Sequence, residues 1–579
     1  MSRDASGSDV SGSGDLKVEK PGSSTIEQFE IDVIPREPVT EEQLTNGPDD
    51  PQSWLMYGDG YRRHHHTVAD AIAPDTVEAL EREYVVDLGV ENAGSQGSPL
   101  LVPGDPPVLY VTHGPDVTRA FDARNGDPLW THDYEPEAKV VKKSPPASRG
   151  LAVLGDTVYK ATLDYGLLAI DRYTGGEQWY YNGAYEYLDE TADGDPQTAM
   201  LDALTYERKL GETSSYPPLV YDDTVLKGSF GGEWGVSGWL EGITTDGDQS
   251  WNFRTVPPEY WIDDEWKHGG GTTWGAPAVD PERGIAISPT SNPGPWNGVV
   301  RPGYNWYTAG KVAVDMEDGG YQWHYQEVPH DWWDYDSPSP AFIYDAEVDG
   351  EERTLASWAG KTGWVFTVDA ETGKLITRSD PYVEHLNTFT LPGTSFEDAQ
   401  WIMPHYTGGT DPQPSAFDRE RRIMIVKGRN QPAKWKRSPP IDYEVNERYL
   451  GLKTKTAKPP QRDEIDGWEK PPGTIAALDP VTGDILWQNW RKKPSWGGAL
   501  TTTTGVTFAG VTDGLLVAYD TETGEKLWSD ELGPAVDGNP ISWYDPETER
   551  QYVAVTAGGT HPFAPKGLTN RLAVYSAEG

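Results

Sequence analysis

The chain has 579 residues, with 48 Lys and Arg against 92 Asp and Glu, a formal net charge of −44. That excess opposes nucleic-acid binding, which needs clustered Lys and Arg against phosphates, and it suits the hydrated surface of a protein from a high-salt cytoplasm or brine. The absence of cysteine excludes disulfides, thiolate zinc sites, Fe–S clusters and covalently attached c-type haem, and no apolar run approaches the roughly 18 residues of a membrane span.

In chain order, "MSRDASGSDVSGSGDLKVEKPGSS" carries no apolar core of a signal peptide. Residues 1–46 read as a flexible acidic tail, and residues 47–579 as one architecture. The stretch Ser53–Tyr61 reads as a strand, and the run His64–His66 as surface. A repeat then sets in: "AFDARNGDPLW" from Ala120, "AIDRYTGGEQW" from Ala169, "AVDMEDGGYQW" from Ala313, "ALDPVTGDILW" from Ala477 and "AYDTETGEKLW" from Ala518. Degraded copies begin at Gly242 and at Thr367, the latter without Trp. Each reads as a strand ending in Asp, a turn closed by Gly, and a second strand carrying Trp. The Trp offers a large flat face to a neighbouring unit. One unit cannot bury its own faces, so several must stack radially, and the expected fold is an all-β, eight-bladed β-propeller. An eighth sheet is expected to join Ser53–Tyr61 to the last strand, "RLAVYSA".

Two long intervals between copies read as insertions. Residues 183–214 include a helical pattern around "AMLDALTYERKL". Residues 428–470 are basic and Pro-rich on an acidic chain. They read as a solvated loop, with a dock for a redox partner or a cover over a pocket as alternatives.

The central channel of a propeller gathers residues distant in sequence. Glu233 in "FGGEWGVSG", Asn292 in "SNPGPWN", and Asp334 and Asp336 in "HDWWDYDSP" are hard oxygen donors, suited to an ion such as Ca²⁺ rather than zinc or copper. If that segment is extended, Asp334 and Asp336 face one side. Three carboxylates and an amide balance a trivalent ion better than a divalent one.

Together with the Trp repeats, "GGGTTWGAPAVDP", "SNPGPWN", "RPGYNWYT" and "HYQEVPHDWWDYD", in that order, resemble the eight-bladed quinoprotein alcohol dehydrogenases, which use pyrroloquinoline quinone (PQQ) and a metal ion. The resemblance spans nearly all of residues 50–579, and the repeats look like that family's tryptophan-docking motifs. It implies that Glu233, Asn292 and Asp334 hold the metal, with Asp334 also the catalytic base. It implies that Trp274 stacks on PQQ and Lys361 contacts the quinone oxygens. Arg149 and Ser215 match residues that bind PQQ carboxylates, and Gln96, Asn430 and Trp496 match other positions near the cofactor. An acid at Asp336 is similar to the lanthanide-dependent branch, so a lanthanide is expected before Ca²⁺.

The implied reaction oxidises a primary alcohol to an aldehyde and passes electrons to a separate cytochrome or copper protein. The resemblance also implies an extracytoplasmic location and allows a homodimer. Two other functions fit parts of the pattern: a non-catalytic scaffold propeller, and a PQQ-dependent sugar or polyol dehydrogenase. The sequence departs from the family in lacking its adjacent cysteine pair and in placing Phe230 where a small residue is usual.

Overall fold

The computed structural model describes residues 22–91, 94–136, 147–182, 214–437, 439–444, 447–453, 455–456, 462–559, 561 and 564–578. The helical pattern expected within 183–213 lies outside them. Eight sheets of four or five strands form the blades, antiparallel except where His66–Thr67 joins blade 7 in parallel. Blade 1 runs outward from the strand Leu100–Val102 through Val108–His113 and Val117–Asp122 to Pro128–Glu135. Blades 2 to 7 begin at Ala152–Leu154, Leu219–Tyr221, Ala278–Asp280, Phe342–Val348, Ala416–Asp418 and Ala499–Thr502.

The repeat works as a two-strand clamp. Within each copy the Ala and the Trp face one another across the two outer strands, as in Ala120 with Trp130 and Ala313 with Trp323, next to a bulge. The small Ala leaves room for the indole, which then reaches the next blade. Trp130 donates Nε1–H to the Arg172 carbonyl at 2.9 Å, and Trp323 donates to Ala370 at 2.9 Å. The indoles of Trp130, Trp179, Trp251, Trp323 and Trp487 also lie against the turn Gly of the next blade. At Gly175, φ is 70°, and a Cβ there would stand 2.8 Å from the Trp130 ring. Only glycine meets both conditions.

Where the repeat lacks its Trp, a smaller device takes over. Thr377 donates to the Val481 carbonyl at 2.6 Å. At the junction from blade 8 to blade 1, Tyr84 donates to the Ala123 carbonyl at 2.8 Å. Trp130→Ala removes a fully buried indole and its hydrogen bond. It is expected to lower the unfolding free energy by about 3–5 kcal/mol, read by urea denaturation. A loss below about 1 kcal/mol, the scale of an ordinary substitution, would remove docking from the account of blade cohesion.

Three expectations are corrected. Blade 8 is closed by Glu81–Glu91, which pairs with the last strand Thr569–Glu578; the stretch Ser53–Tyr61 takes no part in it. Residues 22–46 are not a loose tail, because Ser23–Gln28 adds a fifth strand to blade 1 through Pro128–Glu135, and Leu44 is buried. The histidine run is not surface either: His65 and His66 are buried and His64 half-buried.

The reason is a strap. Residues 51–67 cross the inner strands and accept their N–H groups. Pro51 accepts from Tyr544, Tyr61 from Val279, Arg62 from Ile343, His64 from Phe417 and His65 from Thr501, at 2.6–3.0 Å. Buried inner-strand amides need partners, and a segment running across several blades supplies them whatever its side chains are.

Candidate active site

Most of the residues singled out from the sequence lie a few positions ahead of the innermost strands, while Glu233, Asn292, Lys361 and Asn430 follow the second strands of their blades. Gln96 precedes Leu100–Val102, Arg149 precedes Ala152–Leu154, Ser215 precedes Leu219–Tyr221, Trp274 precedes Ala278–Asp280, Asp334 and Asp336 precede Phe342–Val348, and Trp496 precedes Ala499–Thr502. One recurrent position thus delivers side chains from successive blades to one end of the channel.

Their contacts link blade to blade. Arg149 donates to Ser215 and lays its guanidinium 4.7 Å from the centre of the Trp274 ring. Trp274 donates Nε1–H to Asp336 at 3.2 Å. Phe230 meets the Trp274 ring edge-on at 5.7 Å. Lys361 Nζ lies 3.6 Å from Asp334, 3.5 Å from Asp336 and 3.7 Å from Asp411. Arg429 pairs with Asp411 at 3.2 Å and stacks 4.2 Å over Trp496. Trp496 lies face to face with His561 at 4.1 Å, and His561 pairs with Asp537 at 3.0 Å. The Asn539 N–H donates to the Gly97 carbonyl at 3.0 Å, which returns the circuit to blade 1.

The stretch His330–Pro338 shows how acids come to lie among aromatics. The Asp331 carboxylate accepts the N–H groups of Trp333 and Tyr335 at 2.9 and 3.0 Å. That clamp bends the chain so that Asp334 takes a left-handed conformation, φ 61°. The segment is therefore not extended there. Tyr335 and Trp333 are tied outward to the carbonyls of Pro404 and Thr390. Asp336 is fixed by the Asn292 N–H at 2.6 Å.

Burial raises the Asp334 carboxyl well above the usual range; Lys361 pulls it back, and the charges of Asp336 and Glu233 push it up further. Asp336 is raised in the same way, chiefly by burial. Burial alone would depress Lys361, but Asp334, Asp336 and Asp411 outweigh it and hold the ammonium above the usual lysine range. Lys361 is locked in place because the chain at Gly408, φ 71°, passes where a Cβ would stand 2.4 Å from the lysine Cβ.

The expected metal set is only partly gathered. Asp334 and Asp336 meet at Lys361, and Asn292 touches Asp336 through its backbone; its side chain donates to the Pro293 carbonyl. Glu233 is near enough to act on both acids by charge, and its carbonyl accepts the Tyr449 N–H at 2.6 Å. The donors are all oxygen, and Asp334 Oδ1 is buried with no hydrogen-bond partner, so the chemistry fits a hard cation.

A flat polyanion also fits. Arg149 Nε and Arg429 Nε and Nη1 are buried without hydrogen-bond partners, beside the faces of Trp274 and Trp496, while Gln96 Oε1, also buried and unpartnered, is an acceptor open to a donor. Asn430 stands apart: its amide is spent on Glu384 and on the carbonyls of Lys470 and Pro471. The sequence reading missed Asp411, Arg429, Asp537 and His561. The signal available for Asp411 and Asp537 was their place ahead of Ala416–Asp418 and Ile541–Asp545.

The insertion after Arg429 is more than a solvated loop. Its Trp435 and Leu450 join Trp296, Trp332, Trp333 and Tyr335 in one buried cluster. Its Tyr449 reaches Glu233, and Asn297 donates to the Leu450 and Gly451 carbonyls at 3.2 and 3.1 Å. It covers the side of the site that holds Glu233.

An eight-bladed propeller with buried acids and cations around indole faces at one channel end is the architecture of a cofactor-dependent enzyme. Residues 54–381 and 382–553 match the β-propeller domain model of PQQ glucose/ethanol/alcohol dehydrogenases, and the chain belongs to that PQQ-dependent alcohol dehydrogenase family. It is 28% identical over 564 residues to the quinoprotein alcohol dehydrogenase PedH of Pseudomonas putida, covering 90% of this chain and 88% of that protein. It is 28% identical over 565 residues to the lanthanide-dependent methanol dehydrogenase of Methylacidiphilum fumariolicum, covering 89% of this chain and 86% of that one. A europium-containing methanol dehydrogenase structure shares the fold at TM-score 0.81 and 24% identity, covering 93% of this chain and all of that one.

Proposed function

We propose that this protein oxidises a primary alcohol to an aldehyde with PQQ and a lanthanide ion, and passes the electrons to an external acceptor such as a cytochrome or copper protein. The observation that carries the reading is the buried, hydrogen-bond-free Asp334 Oδ1 beside Lys361, set between an all-oxygen donor group and the Trp274 face. Glu233, Asn292, Asp334 and Asp336 would hold the metal. Arg149, Ser215, Gln96 and Arg429 would meet the cofactor's carboxylates, with Trp274 and Trp496 against its plane. PQQ, when bound, supplies the two-electron acceptor, and the metal a Lewis acid.

The chain's own part is positioning and proton transfer. Asp334 accepts the hydroxyl proton. Lys361 holds it in place and, by its charge, opposes the burial that raises its carboxyl. The cluster of Trp296, Trp332, Trp333, Trp435 and Leu450 excludes water, and its apolar wall favours a small alcohol over a sugar or polyol. The lack of cysteine means that no c-type haem is covalently carried on this chain, which is why the acceptor is separate. An extracytoplasmic, high-salt setting is part of the same proposal.

Asp336 adds a third carboxylate, which suits a trivalent ion. The test is dye-linked turnover of ethanol, a polyol and glucose by the PQQ-reconstituted chain with La³⁺ or Ca²⁺. Ethanol turnover with La³⁺, falling at least about tenfold in Asp336→Ala relative to its Ca²⁺ rate, is expected; 1.4 kcal/mol of differential stabilisation is enough for that. Equal La³⁺ to Ca²⁺ ratios in parent and variant would defeat the lanthanide assignment, and preference for glucose would defeat the substrate class.

A further inference from the structure

The histidine run that the strap buries has no part in the chemistry above. His66 pairs in parallel with Thr501 of blade 7. Its Nε2 faces Glu420 Oε2 at 2.9 Å, and one oxygen of Asp418 completes a trio of ligand atoms all within 4.8 Å of one another. Asp418 ends the inner strand of blade 6, and Glu420 follows in the next turn. We propose that His66, Asp418 and Glu420 form a second cation site, for a divalent transition ion of the zinc class, which staples the strap to blades 6 and 7.

The imidazole geometry points to a cation. His66 Nδ1 lies 3.0 Å from Thr501 Oγ1. A neutral ring that donates there turns the Nε2 lone pair toward a carboxylate oxygen. Two acceptors then face each other, with His66 itself 1% exposed and its Nε2 making no hydrogen bond, and a cation between them satisfies both. A hydrogen-bond partner on the far nitrogen is the usual support of a metal-bound histidine.

The Asp418 carboxylate lies buried beside them. Arg421 takes one site on each of its oxygens, through N at 2.8 Å and Nη1 at 3.1 Å, and the remaining lone pairs stay available. A tetrahedral zinc ion spaces its ligand atoms by about 3.3–3.6 Å at bond lengths of about 2.0–2.2 Å, so the His66–Glu420 pair at 2.9 Å opens slightly while the trio, all within 4.8 Å, adjusts around the ion. The fourth position faces outward, where the Glu420 side chain is 43% exposed. One imidazole and two carboxylates select a zinc-class ion rather than the hard cation suited to the all-oxygen set. In a chain without disulfides, such an ion joins two segments distant in sequence, the strap at His66 and the end of the inner strand of blade 6.

The experiment is a Co²⁺ titration of the chelator-stripped full chain, read by visible absorption, followed by Zn²⁺ displacement and thermal melting. One saturable band typical of four- or five-coordinate cobalt is expected. It should persist in Asp336→Ala, vanish in His66→Gln and weaken by about tenfold or more in Glu420→Gln. Zn²⁺ should raise the melting temperature of the parent but not of His66→Gln. Should His66→Gln fail to fold, Glu420→Gln, altered at an exposed side chain, decides alone. No band, or a band unchanged in the variants, would mean that the trio is a protonated-histidine ion pair only, and would overturn the proposal.

Discussion

Asp334→Asn is expected to reduce kcat for ethanol by about 10²–10⁴-fold, the usual contribution of a positioned base, while the protein still folds. Three features of Asp334 set it apart from the other acids of the chain. It sits in a left-handed turn that Asp331 clamps from behind. One of its oxygens is buried without a hydrogen-bond partner. Its other oxygen and its carbonyl both face Lys361, the latter accepting a hydrogen bond at 3.0 Å. Asparagine keeps the shape and removes the base. The measurement is steady-state turnover of the reconstituted variant, with PQQ content checked by absorbance. Full turnover at normal PQQ loading would move the base elsewhere.

The second large effect belongs to Lys361. Lys361→Met leaves Asp334, Asp336 and Asp411 facing a neutral side chain. Removing one partner of a buried charged set costs about 3–5 kcal/mol, and the loss is expected to depend on pH in a definite sense. The lysine is held above its usual range, so its contribution is present at acid and neutral pH and fades only as the pH rises through that folded value. Without it, Asp334 and Asp336, already raised by burial, rise further. A carboxyl raised on folding favours the folded state below its unfolded value of about 3.9. It loses that contribution as the pH climbs through the folded value. The variant's deficit should therefore be large at pH 8 and shrink toward pH 5. Urea denaturation of the metal-free, PQQ-free protein at the two pH values measures it. A deficit independent of pH would show that the cost is packing, not charge.

Much of this was legible in the sequence for a physical reason. Where a repeat Trp lies on a Gly turn of the next blade, as Trp130 and Trp487 do, the spacing from Ala120 to Trp130 or from Ala477 to Trp487 is a covalent record of blade stacking. The same logic hid the exceptions. Thr377 and Tyr84 do the work of Trp with one hydroxyl each, and no spacing rule marks a hydroxyl. The strap was illegible because it binds through carbonyls. His64 to His66 look polar and were placed at the surface, yet their burial follows from the amides of Phe417 and Thr501 that need acceptors. Ser23–Gln28 likewise joins blade 1 chiefly by backbone pairing along its whole length.

At the site, the two-residue spacing of Asp334 and Asp336 announced a shared ligand or counter-charge, and the structure brings both to Lys361. It could not announce the left-handed turn at Asp334, which depends on Asp331 accepting two N–H groups. Asp411 and Arg429 are single charged residues with no repeating spacing, Arg429 ending the buried strand Ile423–Arg429; only the propeller places them beside Lys361 and Trp496.

The central claim is that the indole faces of Trp274 and Trp496 and the cations around them form a PQQ site completed by a metal. The most direct test is an equilibrium titration of the purified full chain with PQQ in high salt, with La³⁺, with Ca²⁺ and with neither ion, following cofactor absorbance. The account predicts saturable binding of one PQQ per chain that tightens with La³⁺ and weakens in Trp274→Ala. No saturable binding with either ion, in a protein shown to be folded, would contradict it.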